Sequence, residues 1–136
     1  VVDEQGPPEL LDVRSDDDIV RARRSARERA VTAGLRLVDQ TKLITAVSEL
    51  ARNMTRYAGG GKVTLSTVAD GGRRGVRATF SDEGPGIADI EQAMVNGYTT
   101  GTGLGLGLGG AKRLVHEFSL DTEPGRGTTV TVIMWG

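Results

Sequence analysis

The chain has 136 residues, room for one domain with a two-layer core and no second one. Charged residues make up 26%, and 17 Lys and Arg set against 18 Asp and Glu leave a net charge of −1, which argues against nucleic acid or a membrane surface as a partner. The absence of Cys excludes disulfides and thiolate-held metals, and no apolar stretch approaches a membrane span, so a cytoplasmic protein is expected, with residues 1–9 as a flexible polar tail.

From the start, Leu10-Leu11-Asp12-Val13 alternates like a short edge strand. Ser15 or Asp16 caps a predicted helix over about 17–33, with Ile19, Ala22, Ala26 and Ala30 on its apolar side and Gly34 at its end. Five arginines crowd this helix: Arg21, Arg23, Arg24, Arg27 and Arg29. They make either a solvated face, with Arg24 and Glu28 at pairing distance, or a docking surface for an acidic partner. A second helix is expected over 39–57, burying Leu43, Ala46, Val47, Leu50 and Met54 and stopped by Gly59-Gly60-Gly61.

Residues 62–69 alternate as a strand, with Val63, Leu65 and Thr67 facing one way. Asp70-Gly71-Gly72 turns the chain, and 75–80 returns to complete a hairpin. Residues 87–94 are predicted to be a short helix, and 111–118 the continuation of another that begins in a glycine run. Strands over 119–122 and 128–134, split by a Pro-Gly turn, close the chain. This order suggests one layer of helices on a mixed, largely antiparallel sheet, an α+β domain.

Three constellations could carry chemistry. Glu49 and Asn53 are four apart on the second helix and project from one face. A carboxylate there can accept a proton and an amide oxygen can ligate Mg²⁺, although an isolated pair of this kind is more often just solvated. Arg56, one turn further, is in reach of a phosphate or merely exposed. Asp82-Glu83-Gly84-Pro85-Gly86-Ile87 follows a strand directly, and it reads equally as a tight turn or as a site where a fixed carboxylate accepts a hydrogen bond from an exocyclic amine.

The third constellation is stronger. Gly101-Thr102-Gly103-Leu104-Gly105-Leu106-Gly107-Leu108-Gly109-Gly110 leaves backbone N–H groups unshielded and runs into a helix, a ready phosphate site. A flexible linker would not carry Leu at alternate positions. The run lacks the Gly-Lys-Ser/Thr of a P-loop. Gly105, Gly107 and Gly110 fit a dinucleotide fingerprint, with Asp121 or Glu123 as the acid, but no strand precedes them and too little chain follows.

Together and in this order, Glu49-x-x-x-Asn53, Asp82-x-Gly84-x-Gly86 and Gly101 to Gly107 resemble the N, G1 and G2 boxes of the gyrase, Hsp90, histidine-kinase and MutL ATPase superfamily. Gly127-Thr128 before the last strand adds to the match, and the likeness spans about residues 10–135. It implies a two-layer Bergerat sandwich with ATP and Mg²⁺ bound between the second helix, the glycine loop and the sheet. It also implies Glu49 as general base and Asn53 as metal ligand. Nucleotide contacts would come from Asn53, Arg56, Asp82, Gly84, Gly86, Ile87, Gly101, Thr102, Gly103, Leu104, Gly105, Leu106, Gly107 and Thr128.

Further matches at Asp18-Ile19-Val20, Ser48-Glu49-Leu50-Ala51-Arg52-Asn53, Lys112-Arg113-Leu114 and Glu117-Phe118-Ser119-Leu120 look like the small switch serine/threonine kinases of the stressosome. That resemblance implies phosphorylation of STAS-domain scaffold and antagonist proteins in a stress response, then activation of a PP2C-type phosphatase by binding. The alternative is a related anti-sigma factor, which sequesters a sigma factor and phosphorylates an anti-anti-sigma factor. One departure is Gly101-Thr102-Gly103, where members of that group often carry more glycine.

Overall fold

Local chemistry starts the first long helix. Ser15 is extended, and its hydroxyl accepts the Asp18 N–H at 3.3 Å, while Asp18 reaches back to accept the Arg14 N–H at 2.9 Å. Three acids in the first turn, Asp16, Asp17 and Asp18, suit the positive end of the helix dipole. The helix buries Ile19, Ala22, Ala26 and Ala30, the four positions its periodicity marks. At its end the Gly34 and Leu35 N–H groups bond back to the Val31 and Ala30 carbonyls, with Gly34 at φ +84°.

The computed structural model describes residues 2–86 and 107–136. Along them run β1 (Asp3–Glu4), β2 (Glu9–Val13), α1 (Asp16–Thr32), α2 (Leu37–Ala58), β3 (Gly61–Asp70), β4 (Arg73–Asp82), α3 (Gly107–Leu114), β5 (Glu117–Glu123) and β6 (Gly127–Trp135). The helix expected over 87–94 lies outside the described residues.

The six strands form one sheet in the order β1-β3-β4-β6-β5, with β2 also paired to β3. Every pairing among the described residues is antiparallel, in keeping with the largely antiparallel α+β sheet expected from sequence. The three helices lie on one face. Ile19, Ala26, Leu43, Val47, Leu50 and Met54 from the helices meet Val63, Leu65, Val76, Phe80, Val130 and Val132 from the strands in one core. These residues alternate along each strand, so the layer is the direct consequence of a period of two meeting a period of 3.6.

Two expectations are revised. Residues 2–9 are no tail: β1 pairs with Val68 and Ala69, and Glu4 bonds Arg77 at 2.8 Å and Ser66 at 3.3 Å. The helix expected to run to residue 118 ends at Leu114, because Glu117 and Phe118 already pair with Ile133 and Val132. The far face of the sheet carries apolar residues of its own. Val68, Ile133 and Trp135 form a second small cluster with Val2 packed against it, and Arg73 lies 4.2 Å over the indole ring.

Candidate functional site

α2 is the element that carries the polar residues of interest, and it breaks its own apolar pattern to do so. Glu49 is among its buried positions, 4% exposed, on a helix otherwise buried through Leu43, Val47, Leu50 and Met54. Asn53, one turn on, is half-buried and Arg56 is exposed. Glu49, Arg52, Asn53 and Arg56 fall at i, i+3, i+4 and i+7, one stripe along the helix flank.

A buried carboxylate needs a partner. Arg52 supplies it: its Nη1 donates to Glu49 Oε1 at 2.9 Å. Sequence reasoning passed over Arg52, although an i, i+3 Glu–Arg pair is a legible signal. On its outer side Arg52 joins Asp16, Thr55 and Arg56 in lining an open groove of about 390 Å³. This groove was also not foreseen, because it forms between the start of α1 and the second half of α2, which are far apart in sequence.

Asp82 ends β4, half-buried, with Thr128 of β6 directly across the ladder. Its Oδ1 accepts the Gly84 N–H at 2.9 Å, which fixes the carboxylate and leaves it further acceptor capacity. The glycines around it are explained first by protein packing. A Cβ on Gly84 would sit 2.5 Å from the Ala58 Cβ, so the loop rests on the last turn of α2. Gly127, at φ +94°, lets β6 begin against the Asp82 carbonyl, where a Cβ would come within 2.1 Å of the oxygen. Gly86 adopts φ +74° beside the Glu123 carbonyl, and Pro85 accepts the Gly125 N–H at 2.6 Å. Asp82 is thus held by its neighbours before any ligand arrives. Thr128 Oγ1 lies 2.8 Å from Thr122 Oγ1 on β5.

Gly107 opens α3, whose Leu108 and Ala111 enter the core and which packs against α2. Ile87, Gly101, Thr102, Gly103, Leu104, Gly105 and Leu106 lie outside the described residues. The structure therefore brings Glu49, Asn53 and Arg56 onto one helix, sets the Asp82–Gly84 corner against the end of that helix, and joins Thr128 to Asp82 through the sheet. Asp121 and Glu123, the acids of the discarded dinucleotide reading, sit on edge strand β5.

The donor set fits Mg²⁺ of the kind that phosphates share. Among the described residues no group of three or more His, Asp or Glu is placed to cage a metal. Mg²⁺ ordinarily takes one or two protein oxygens and fills the rest of its shell with phosphate and water, which Asn53 suits.

Residues 38–135 match the family described as histidine kinase-, DNA gyrase B-, and HSP90-like ATPase, and the chain belongs to that family. It is RsbT-like within it: the chain is 48% identical over 118 residues to serine/threonine-protein kinase RsbT of Bacillus subtilis (strain 168), covering 87% of this chain and 89% of that protein. Solved structures share the fold. The RsbU and RsbW domains of Rv1364c from Mycobacterium tuberculosis superpose with a TM-score of 0.65 at 23% identity, over 95% of this chain and 32% of that one. This chain thus spans about a third of that structure. A mycobacterial sensor histidine kinase, MprB, gives a TM-score of 0.52 at 19% identity, over 96% of this chain and 98% of that one.

Proposed function

We propose that this chain, an RsbT-like protein serine/threonine kinase, transfers the γ-phosphoryl group of ATP to Ser or Thr on STAS-domain proteins. In this reading it serves a cytoplasmic partner-switching stress pathway and activates a PP2C-type phosphatase by binding it. The observation that carries the reading is a carboxylate buried on α2, Glu49, one turn from the amide of Asn53. No helix among the described residues is long and apolar enough to cross a membrane.

Each residue then has one task. Glu49 takes the proton from the attacking hydroxyl, which a positioned carboxylate within hydrogen-bond reach can do. Asn53 offers its amide oxygen to Mg²⁺, and the bound ion supplies charge neutralisation at the phosphates. Asp82, already oriented by Gly84, accepts the adenine amine. Gly84, Gly86 and Ile87 line the ring, Thr128 contributes from the sheet, and Arg56 and the 101–107 run address the phosphates. Phosphoryl transfer is largely positioning and electrostatics, so a small rigid layer of this kind is sufficient scaffold.

The test offers the chain Mg²⁺ and γ-labelled ATP, with a purified STAS-domain protein in one reaction and a sigma factor in another. Phosphoserine or phosphothreonine on the STAS protein is expected. No label on it, together with stoichiometric capture of the sigma factor, would replace the proposal with the anti-sigma alternative.

A further inference from the structure

We propose that Arg52 is a latch on Glu49, released when a carboxylate on the acceptor protein enters the groove beside it. The inference rests on Glu49 being the general base and says when that base becomes available. Glu49 is buried, its side chain 5% exposed, while the side chain of Arg52 is 35% exposed. The pair therefore runs from the interior to the surface. Its inner end is the Oε1 that accepts from Nη1 at 2.9 Å, and its outer end lines the groove with Asp16, Thr55 and Arg56.

A guanidinium carries five N–H donors in a fixed fork and binds carboxylates in preference to most other groups. Arg52 can satisfy Glu49 from within or an anion arriving from the groove, and in the free protein it satisfies Glu49. A carboxylate whose Oε1 is held by a guanidinium is poorly placed to swing that oxygen to a hydroxyl, which requires about 2.6–3.2 Å. An acceptor segment with an Asp or Glu near its Ser or Thr offers Arg52 a second carboxylate. The Thr55 hydroxyl donates to the Arg52 carbonyl at 3.0 Å and so forms part of the groove wall. Once Arg52 turns outward, Glu49 is released as the hydroxyl arrives.

The acceptor oxygen then bonds to the γ-phosphorus as the β–γ bridging P–O bond breaks. The electron pair leaves with ADP, and the proton passes to Glu49. Water carries no charge to exchange for that of Glu49, so on this account hydrolysis of ATP stays low until a protein acceptor docks. Arg52 is on this account a positioning residue that selects protein hydroxyls over water.

The experiment measures, in the full chain, acceptor-free ATP hydrolysis and transfer to a STAS protein for the parent, Arg52→Ala, Arg52→Lys and Glu49→Gln. Arg52→Ala should raise hydrolysis by about tenfold, the scale of a lost charge-assisted hydrogen bond, and should raise KM for the acceptor. Arg52→Lys should restore part of both. A parallel fall of hydrolysis and transfer in Arg52→Ala, or no change in either, overturns the latch. Thermal unfolding without nucleotide supplies an independent readout. Arg52→Ala should lower Tm by leaving a buried charge unpaired, and adding Glu49→Gln should recover much of the loss. Simple additivity of the two Tm changes removes the pair on which the latch depends. Full transfer by Glu49→Gln would sink the base assignment itself. Abolished transfer in that variant, with parental hydrolysis in Arg52→Ala, would sink only the latch.

Discussion

The two long helices lie side by side on the same sheet yet bury different things. α1 commits only Ile19, Ala22, Ala26 and Ala30 to the interior, a narrow stripe of mostly small side chains. α2 buries nine residues, and two of them, Asp39 and Glu49, are acids. Asp39 stays near the helix start with Arg36 Nε 3.3 Å away, where a carboxylate suits the dipole. Glu49 sits mid-helix, where no dipole favours it, and among the described residues Arg52 answers its charge. A helix built for packing alone would resemble α1. Polar burial in the middle of α2 is the kind of local inconsistency that marks a working site.

The comparison is broken most directly at Glu49. If α2 is the chemical helix, Glu49→Gln should lower phosphorylation of a STAS protein by roughly 10²-fold or more while ATP affinity is nearly retained. Transfer at the parental rate would make Glu49 a structural residue like its neighbours.

At α1 the expected effect is on stability. Ala26 is fully buried, so Ala26→Leu should overpack the layer and cost roughly 1–3 kcal/mol, lowering Tm by several degrees. The remaining folded fraction should bind MgATP as the parent does, and a loss of nucleotide affinity in it would show that α1 also shapes the site.

The ligand contacts come next. Asp82→Asn should weaken ATP binding by about tenfold and reduce its preference over GTP, whose ring has a carbonyl where adenine has the amine. Asn53→Ala should weaken MgATP while leaving metal-free nucleotide little changed. Isothermal titrations of each variant with ATP, GTP and ATP in EDTA decide both, and unchanged affinity and base preference in Asp82→Asn count against its placement.

The smallest effect concerns the outer side of α1. Among the described residues, two of its five arginines have structural partners. Arg21 pairs with Asp18, and Arg29 turns toward Glu9, Thr67 and Pro7. Arg23, Arg24 and Arg27 remain exposed. Reversing Arg23 and Arg27 to Glu should slow capture of an acidic partner a few-fold at low salt, with MgATP binding intact and the difference fading as salt rises. Equal association rates at low ionic strength would return these residues to a solvated face.

What the sequence by itself determined is local. The Ser15 cap, the alanine stripe of α1, the glycine stop after Ala58 and the β3–β4 hairpin follow from rules that act over a few residues, and the structure agrees with each. The three boxes were legible in the same way, since glycines, a carboxylate and an amide at set spacings need no fold to be noticed. Tertiary structure decided the rest, because it depends on which distant segments meet. Nothing local pairs Asp3–Glu4 with the end of β3, or stops α3 at Leu114 so that Glu117 can join β6. Residues 132–135 form an unbroken apolar run, and only the sheet divides it, sending Val132 and Met134 to the main core and Ile133 and Trp135 to the far face. Glu49 could be picked out as a candidate base, but its burial, and the dependence on Arg52 that burial creates, came only when the layers closed around α2.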